Sequence, residues 1–230
     1  MNNNILSVIG NTPLVELAKL FENERQVQVF AKLEMLNPGG SAKDRPALRM
    51  IQEAWKEGAI APGSVVIESS SGNMAISLAY ICSYLDLRFI SVIDPRTTEQ
   101  NIRILKAYGA EIDYVAEPDQ ETGEFLQARL KRVQQLLTEI PNSFWPNQYG
   151  NIHNYLSHNE TTMKEIATDL GRVDYVVGGV STCGTMFGCA KYVQDHGLDT
   201  KIIVVDSEGS VIFGGDKGTR RFPGLGAGMV

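Results

Sequence analysis

The run Val65-Val66-Ile67-Glu68, followed by Ser69-Ser70-Ser71-Gly72-Asn73 and then by the apolar stretch 74–84, spells a short β-branched strand, a loop of small residues and a helix. The same order recurs on both sides of it. β-Branched runs at 89–93, 112–115, 175–177 and 202–205 predict further strands. Helical segments are predicted over 43–57, 74–84, 98–108, 123–140 and 185–196, with stops at Gly58, Gly109, Pro141 and Gly197. Parallel strands need long crossovers, usually helices, so this alternation predicts an α/β fold with parallel sheets flanked by helices. No repeat period and no Pro-, Gly- or Ser-rich tether interrupts it.

Composition narrows the class. The chain has 230 residues, of which 43% are hydrophobic and 21% charged, values of an ordinary globular protein. For this size a folded surface of roughly 10,000 Å² is expected. The net charge is −6, and no run of Lys and Arg interleaved with aromatics is present, so nucleic acid is not expected as a partner. The longest apolar runs are broken by Gly, Ser, Asp or Arg, so no membrane span is expected. Met1-Asn2-Asn3-Asn4 lacks the basic and apolar regions of a secretion signal, which places the expected location in the cytoplasm. Cys82, Cys183 and Cys189 have no CxxC spacing and read as thiols of a reducing compartment. His153 and His158 are five apart rather than four, so no metal site is expected, and both read as surface or loop residues.

Ligands of open parallel sheets bind where strands end and helices begin, which directs attention to three loops. Gly178-Gly179-Val180-Ser181-Thr182-Cys183-Gly184-Thr185 offers small residues and helix-start amides, the equipment of a phosphate cup and equally of an ordinary Gly-rich turn. Without a following Gly-Lys-Ser or Gly-Lys-Thr it is not the loop of a nucleoside triphosphatase. Ser69 to Asn73 suits a carboxylate, and also suits a plain helix cap. The third, 37–45, places Lys43 at a helix start, where a lysine partly shielded from water can act as an amine nucleophile; a solvated surface lysine would look the same.

Together these loops resemble the cysteine synthase family of fold-type II pyridoxal-phosphate enzymes. Ile5-Leu6-Ser7-Val8-Ile9-Gly10-Asn11-Thr12-Pro13-Leu14-Val15 matches the family's opening, and Lys32-Leu33-Glu34 leads into the lysine loop as expected. Residues 37–45 resemble its Asn-Pro-x-Gly-Ser-x-Lys-Asp-Arg, Ser70-Ser71-Gly72-Asn73 its Thr-Ser-Gly-Asn, and Ser181-Thr182-Cys183-Gly184-Thr185 its Gly-Thr-Gly-Gly-Thr. The resemblance implies a two-lobed, tryptophan synthase β-like fold: a smaller, mobile lobe over 41–144, and a larger, cofactor-binding lobe from 1–40 and 145–230. It also implies pyridoxal 5'-phosphate as cofactor, carried by Lys43, contacted by Asn73 and held by Ser181, Thr182, Cys183, Gly184 and Thr185. Ser70, Ser71, Gly72 and Gln148 would grip the carboxylate of an amino-acid substrate. The implied reaction is β-replacement through an aminoacrylate, catalysed by a homodimer.

Four departures resemble one subgroup, the N-(2-amino-2-carboxyethyl)-L-glutamate synthases of 2,3-diaminopropionate biosynthesis, which serves siderophores and peptide antibiotics. They are Asp94-Pro95-Arg96, Tyr149 after Gln148, Ser181 in the cup, and the segment 206–214. The resemblance implies O-phospho-L-serine and L-glutamate as substrates, with Ser181, Tyr149 and Arg96 as added donors. Turn capping, rim packing and a solvated loop are the plain alternatives for these three. A cysteine synthase using O-acetyl-L-serine and sulfide, or a non-catalytic cofactor-binding protein, are the rival readings. The chain ends in Gly224-Leu225-Gly226-Ala227-Gly228-Met229-Val230, which resembles the family's Gly-Ile-Gly-Ala-Gly, so the C-terminal part of the larger lobe is expected to be missing.

Overall fold

The computed structural model describes residues 4–22, 26–222 and 224–228. In chain order its strands are β1 (Leu14–Glu16), β2 (Phe30–Lys32), β3 (Val65–Glu68), β4 (Arg88–Ile93), β5 (Glu111–Tyr114), β6 (Ser143–Phe144), β7 (Tyr175–Gly179) and β8 (Lys201–Val205). The α-helices are α1 (Asp44–Lys56), α2 (Asn73–Tyr84), α3 (Glu99–Ala107), α4 (Phe125–Glu139), α5 (Ile152–Ser157), α6 (Lys164–Leu170) and α7 (Gly184–Asp195). The chain forms two compact units, and one of them is Lys43–His153.

That unit is built on a parallel sheet in the order β5-β4-β3-β6. All four residues of β3 are buried, as a central parallel strand covered on both faces requires. Val65 and Ile67 pack with Ile90, Val92, Val133 and Leu136, which joins β3 and β4 to α4. α2 is buried along its length from Met74 to Cys82, and this explains a helix with little polar face. The unit extends past Phe144, the expected end of the smaller lobe, to His153. The reason is local: β6 pairs with β3, and Trp145 and Gln148 both donate hydrogen bonds to Glu68.

The other unit comprises the described residues up to Ala42 and from Asn154 onward. β1 and β2 pair antiparallel, with Val15 opposite Ala31, and β7 and β8 pair parallel, with Val177 opposite Ile203. Val65 and Val204 thus belong to separate sheets. Between α5 and α6 the chain winds as a π-helix, His158–Met163. α7 packs on this segment at very short range. A Cβ on Gly188 would run into the Tyr155 carbonyl and stand 2.7 Å from His158 Cβ. His153 and His158 therefore lie in helical structure rather than on a loop, and His158 is fully buried. The exposed surface is 13075 Å², above the size-based expectation, and Tyr175, Val177 and Ile203 on β7 and β8 are among the apolar residues left exposed. No helix among the described residues is long and apolar enough to cross a membrane.

Candidate active site

Lys43 is the residue immediately before α1, half-buried, in helical conformation, and its carbonyl accepts the Ala47 amide at 3.0 Å. Its neighbour Asp44 is buried and accepts a 2.5 Å hydrogen bond from Ser77 Oγ on α2. The helix start that carries the lysine is thereby tied to α2.

The loop 69–73 between β3 and α2 is held from several sides. Ser91 Oγ on β4 donates to the Ser70 carbonyl at 2.6 Å, and Asn101 Nδ2 on α3 donates to the Ser71 carbonyl at 2.9 Å. Ser70 Oγ accepts the Ala75 amide at 3.2 Å. Gly72, the residue before α2, provides no side-chain cap, and a Cβ placed on it would meet nothing within 4 Å. Asn73, the first residue of α2, is exposed. The structure brings Gln148 to this loop: its Nε2 donates to the Ser69 carbonyl at 3.4 Å and its backbone N–H to Glu68 at 3.2 Å. Next to it, Tyr149 is exposed.

Two residues that the sequence did not single out are part of these surroundings. Glu68, at the end of β3, is fully buried and accepts hydrogen bonds from Ser69, Trp145 and Gln148. Arg129 on α4 is buried, with Nε 3.5 Å from Asp94 Oδ2. Burial lowers its pKa, opposed by the charges of Asp94, Tyr149 and Glu68. Asp94 stays below the usual carboxylate range: burial would raise it, but hydrogen bonds from Arg96 and the charge of Arg129 outweigh that. Arg96 lies against Asp94 at 2.8 Å and over the ring of Phe125 on α4 at 4.9 Å.

The residues Ser181 to Thr185 belong to the other unit, where β7 turns into α7. Cys183 adopts left-handed backbone, φ 62°, and caps no amide of α7 with its side chain. Successive N–H groups around a left-handed residue at a helix start can point to one side and receive an anion at the positive end of the helix. Ser181 Oγ donates to the Gly226 carbonyl at 3.1 Å. Thr185 Oγ1 is hydrogen-bonded to His158 Nε2 at 3.2 Å, and His158 Nδ1 to Thr162 Oγ1 at 2.9 Å. This buried histidine, read from the sequence as a surface or loop residue, thus contacts Thr185 within the same unit. No cluster of metal-ligating side chains occurs among the described residues.

Lys43, Ser70 to Asn73, Gln148 and Tyr149 are thus in one unit, and Ser181 to Thr185 in the other. Their chemistry fits a phosphorylated aldehyde cofactor and an amino-acid substrate. There is an amine on a tethered helix start, a helix start with a left-handed turn and no side-chain cap for a phosphate, and a glycine with open space over it for a carboxylate.

The family described as pyridoxal-phosphate dependent enzyme matches residues 5–228. An N-(2-amino-2-carboxyethyl)-L-glutamate synthase of Ralstonia nicotianae is 48% identical over 227 residues, covering 98% of this chain and 67% of that protein. Another of the same name from Cupriavidus metallidurans is 46% identical over 229 residues, covering 99% of this chain and 67% of that one. The solved O-acetylserine dependent cystathionine β-synthase of Helicobacter pylori superposes with a TM-score of 0.88 at 29% identity, over all of this chain and 74% of its own. With a family match along nearly its whole length, the chain belongs to the pyridoxal-phosphate dependent enzymes.

Proposed function

We propose that the chain catalyses β-replacement on O-phospho-L-serine with L-glutamate as the incoming amine, giving N-(2-amino-2-carboxyethyl)-L-glutamate and phosphate. The observation that carries this reading is the 48% identity to a synthase of that product. The buried guanidinium of Arg129 supports it, since a buried cation is suited to a phosphate or carboxylate group that an acetyl ester would lack.

Lys43 Nζ, Asn73 and the amides and hydroxyls from Ser181 to Thr185 would hold the cofactor. When bound, pyridoxal phosphate supplies an electron sink for charge developing at the substrate's α-carbon. Ser70, Ser71, Gly72 and Gln148 bind the substrate carboxylate and so fix the rotation of the α-carbon. Lys43 Nζ removes the α-proton and returns it after the new bond has formed. His158, with no exposed surface, orients the Thr185 hydroxyl. Arg129, with Tyr149 at the rim, offers charge to the leaving phosphate or to the glutamate carboxylates. The assembly is read as a homodimer, which light scattering checks.

Turnover of the cofactor-loaded enzyme tests the pairing. Phosphate release from O-phospho-L-serine should depend on L-glutamate, and Arg129→Met should lower kcat/KM at least about tenfold, the loss of one charge-assisted hydrogen bond. Rapid turnover of O-acetyl-L-serine with sulfide, and none of phosphoserine with glutamate, would establish the cysteine synthase reading instead.

A further inference from the structure

Glu68 ends β3 with no exposed surface, and its hydrogen bonds all come from N–H groups. Ser69 N at 2.8 Å and Trp145 Nε1 at 3.0 Å donate to Oε1, and Gln148 N at 3.2 Å donates to Oε2. Three donors around two oxygens is the surrounding of an ionised carboxylate, because a carboxylic proton would find no acceptor among these partners. Burying a carboxylate is costly, and an apolar residue would suit a central strand better. The partners show what is obtained in return. Ser69 opens the loop that runs to Asn73, and Gln148 lies 80 residues away in sequence, yet both are attached to this one side chain. The bonds from Ser91 and Asn101 hold the loop to β4 and α3 but do not reach Gln148, whose own Nε2 meets the Ser69 carbonyl at a long 3.4 Å.

We propose that Glu68 is a positioning residue for the amino-acid substrate, its carboxylate tying the 69–73 loop to the turn at Gln148 so that the two sides of the carboxylate site keep one spacing. This rests on the reading of Ser70, Ser71, Gly72 and Gln148 as that site. Burial pushes the Glu68 carboxyl up to about 7, against the pull of its three N–H donors and of Arg129 on α4. Arg129 is the charged group that bears on Glu68; Asp94 at the end of β4 and Tyr149 bear in turn on Arg129. The tie is complete above this pH and is lost as the pH falls through it.

The test uses cofactor-loaded enzyme and whichever substrate the wild type turns over, O-phospho-L-serine or O-acetyl-L-serine. Glu68→Gln turns an N–H donor toward one of the three donors. It should raise KM about tenfold while kcat falls less than about threefold and cofactor content stays unchanged. In the wild type KM should rise as the pH falls through about 7, and in Glu68→Gln this step should be absent. Trp145→Phe removes one donor from the carboxylate and should move the midpoint upward, whereas the substrate phosphate's own ionisation near pH 6 is common to all variants. An unmoved midpoint in Trp145→Phe, or a Glu68→Gln KM within about twofold of wild type, overturns the proposal if Gly72→Ala still raises KM. Should Glu68→Gln fail to fold, the Trp145→Phe midpoint decides alone. If Gly72→Ala and Gln148→Ala both leave KM unchanged, the carboxylate reading itself fails, and the positioning role with it.

Discussion

Gly72→Ala separates binding from folding at the proposed carboxylate site. Gly72 has φ −118° and ψ −145°, and a Cβ there would meet no atom within 4 Å. The methyl group therefore clashes with nothing, and the narrower unfolded ensemble of alanine, worth about 0.4 to 1 kcal/mol, offsets what its backbone gives up at this ψ. The same methyl would occupy the space through which a carboxylate reaches the amides at the start of α2. Losing one hydrogen bond to a charged group costs about 1.5 to 3 kcal/mol, which corresponds to a rise in KM of roughly 10- to 150-fold. Steady-state kinetics on the cofactor-loaded variant, with urea unfolding of the same sample, reads both quantities. A raised KM at about equal stability is expected. Unchanged KM at unchanged stability would refute the idea that the loop receives the substrate, and a drop in stability beyond about 1 kcal/mol would refute the open space over Gly72.

Borohydride reduction of the loaded enzyme followed by peptide mapping should place the pyridoxyl group on Lys43; Lys43→Ala should lose about 10²- to 10⁴-fold or more in turnover. Cys183→Gly relieves a side chain held at φ 62° and should stabilise the protein by about 1 kcal/mol, raising Tm by about 2 to 4 °C, without loss of cofactor. Gly188→Ala gains about 1 kcal/mol of helix propensity, yet its Cβ would run into the Tyr155 carbonyl and lie 2.9 Å from Asn159 N. Backbone atoms cannot turn aside as a side-chain end can, so a net loss of about 1 to 3 kcal/mol is expected in thermal unfolding.

The sequence was most legible where one residue class filled an element. β3, β4, β5, β7 and β8 begin or end within two residues of their β-branched runs, and α1, α3, α4 and α7 end near the glycines and the proline that mark their stops. β1 was hidden because a three-residue strand with an exposed Val15 has no clear alternation, whereas Lys32 does lie in a strand, β2, as its place before the lysine loop suggests. The helical stretch from Ile152 to Leu170 was hidden for a different reason. Its buried side chains include Asn154, Ser157, His158 and Thr162, so an inward face carries polar residues and no apolar stripe marks it. In the candidate site, the lysine and the small-residue loops announce themselves by composition. Glu68, Arg129 and His158 do not, because a charged or polar residue in a strand or helix reads as facing water until its tertiary neighbours are known. Arg96 illustrates the reverse: its position as a donor was legible in the sequence, and its pairing with Asp94 and Phe125 was not.

The π-helix between α5 and α6 makes chain length a structural variable in its own right. An α-helix turns the chain by about 100° per residue and a π-helix, with about one residue more per turn, by less, so deleting one residue from 158–163 and restoring α geometry would leave the helix after it near its present phase. Glu165 lies just beyond, with one carboxylate oxygen accepting the Asn11 amide at 3.0 Å and the other 2.8 Å from Lys32 Nζ. A deletion within 158–163 should therefore keep that carboxylate near both partners, whereas one made in α5 with the π-helix retained would swing it off them and carry Ile166 out of its buried position. The extra residue of the π-turn is thus the one length change this stretch can give up without losing the attachment of Asn11 and Lys32.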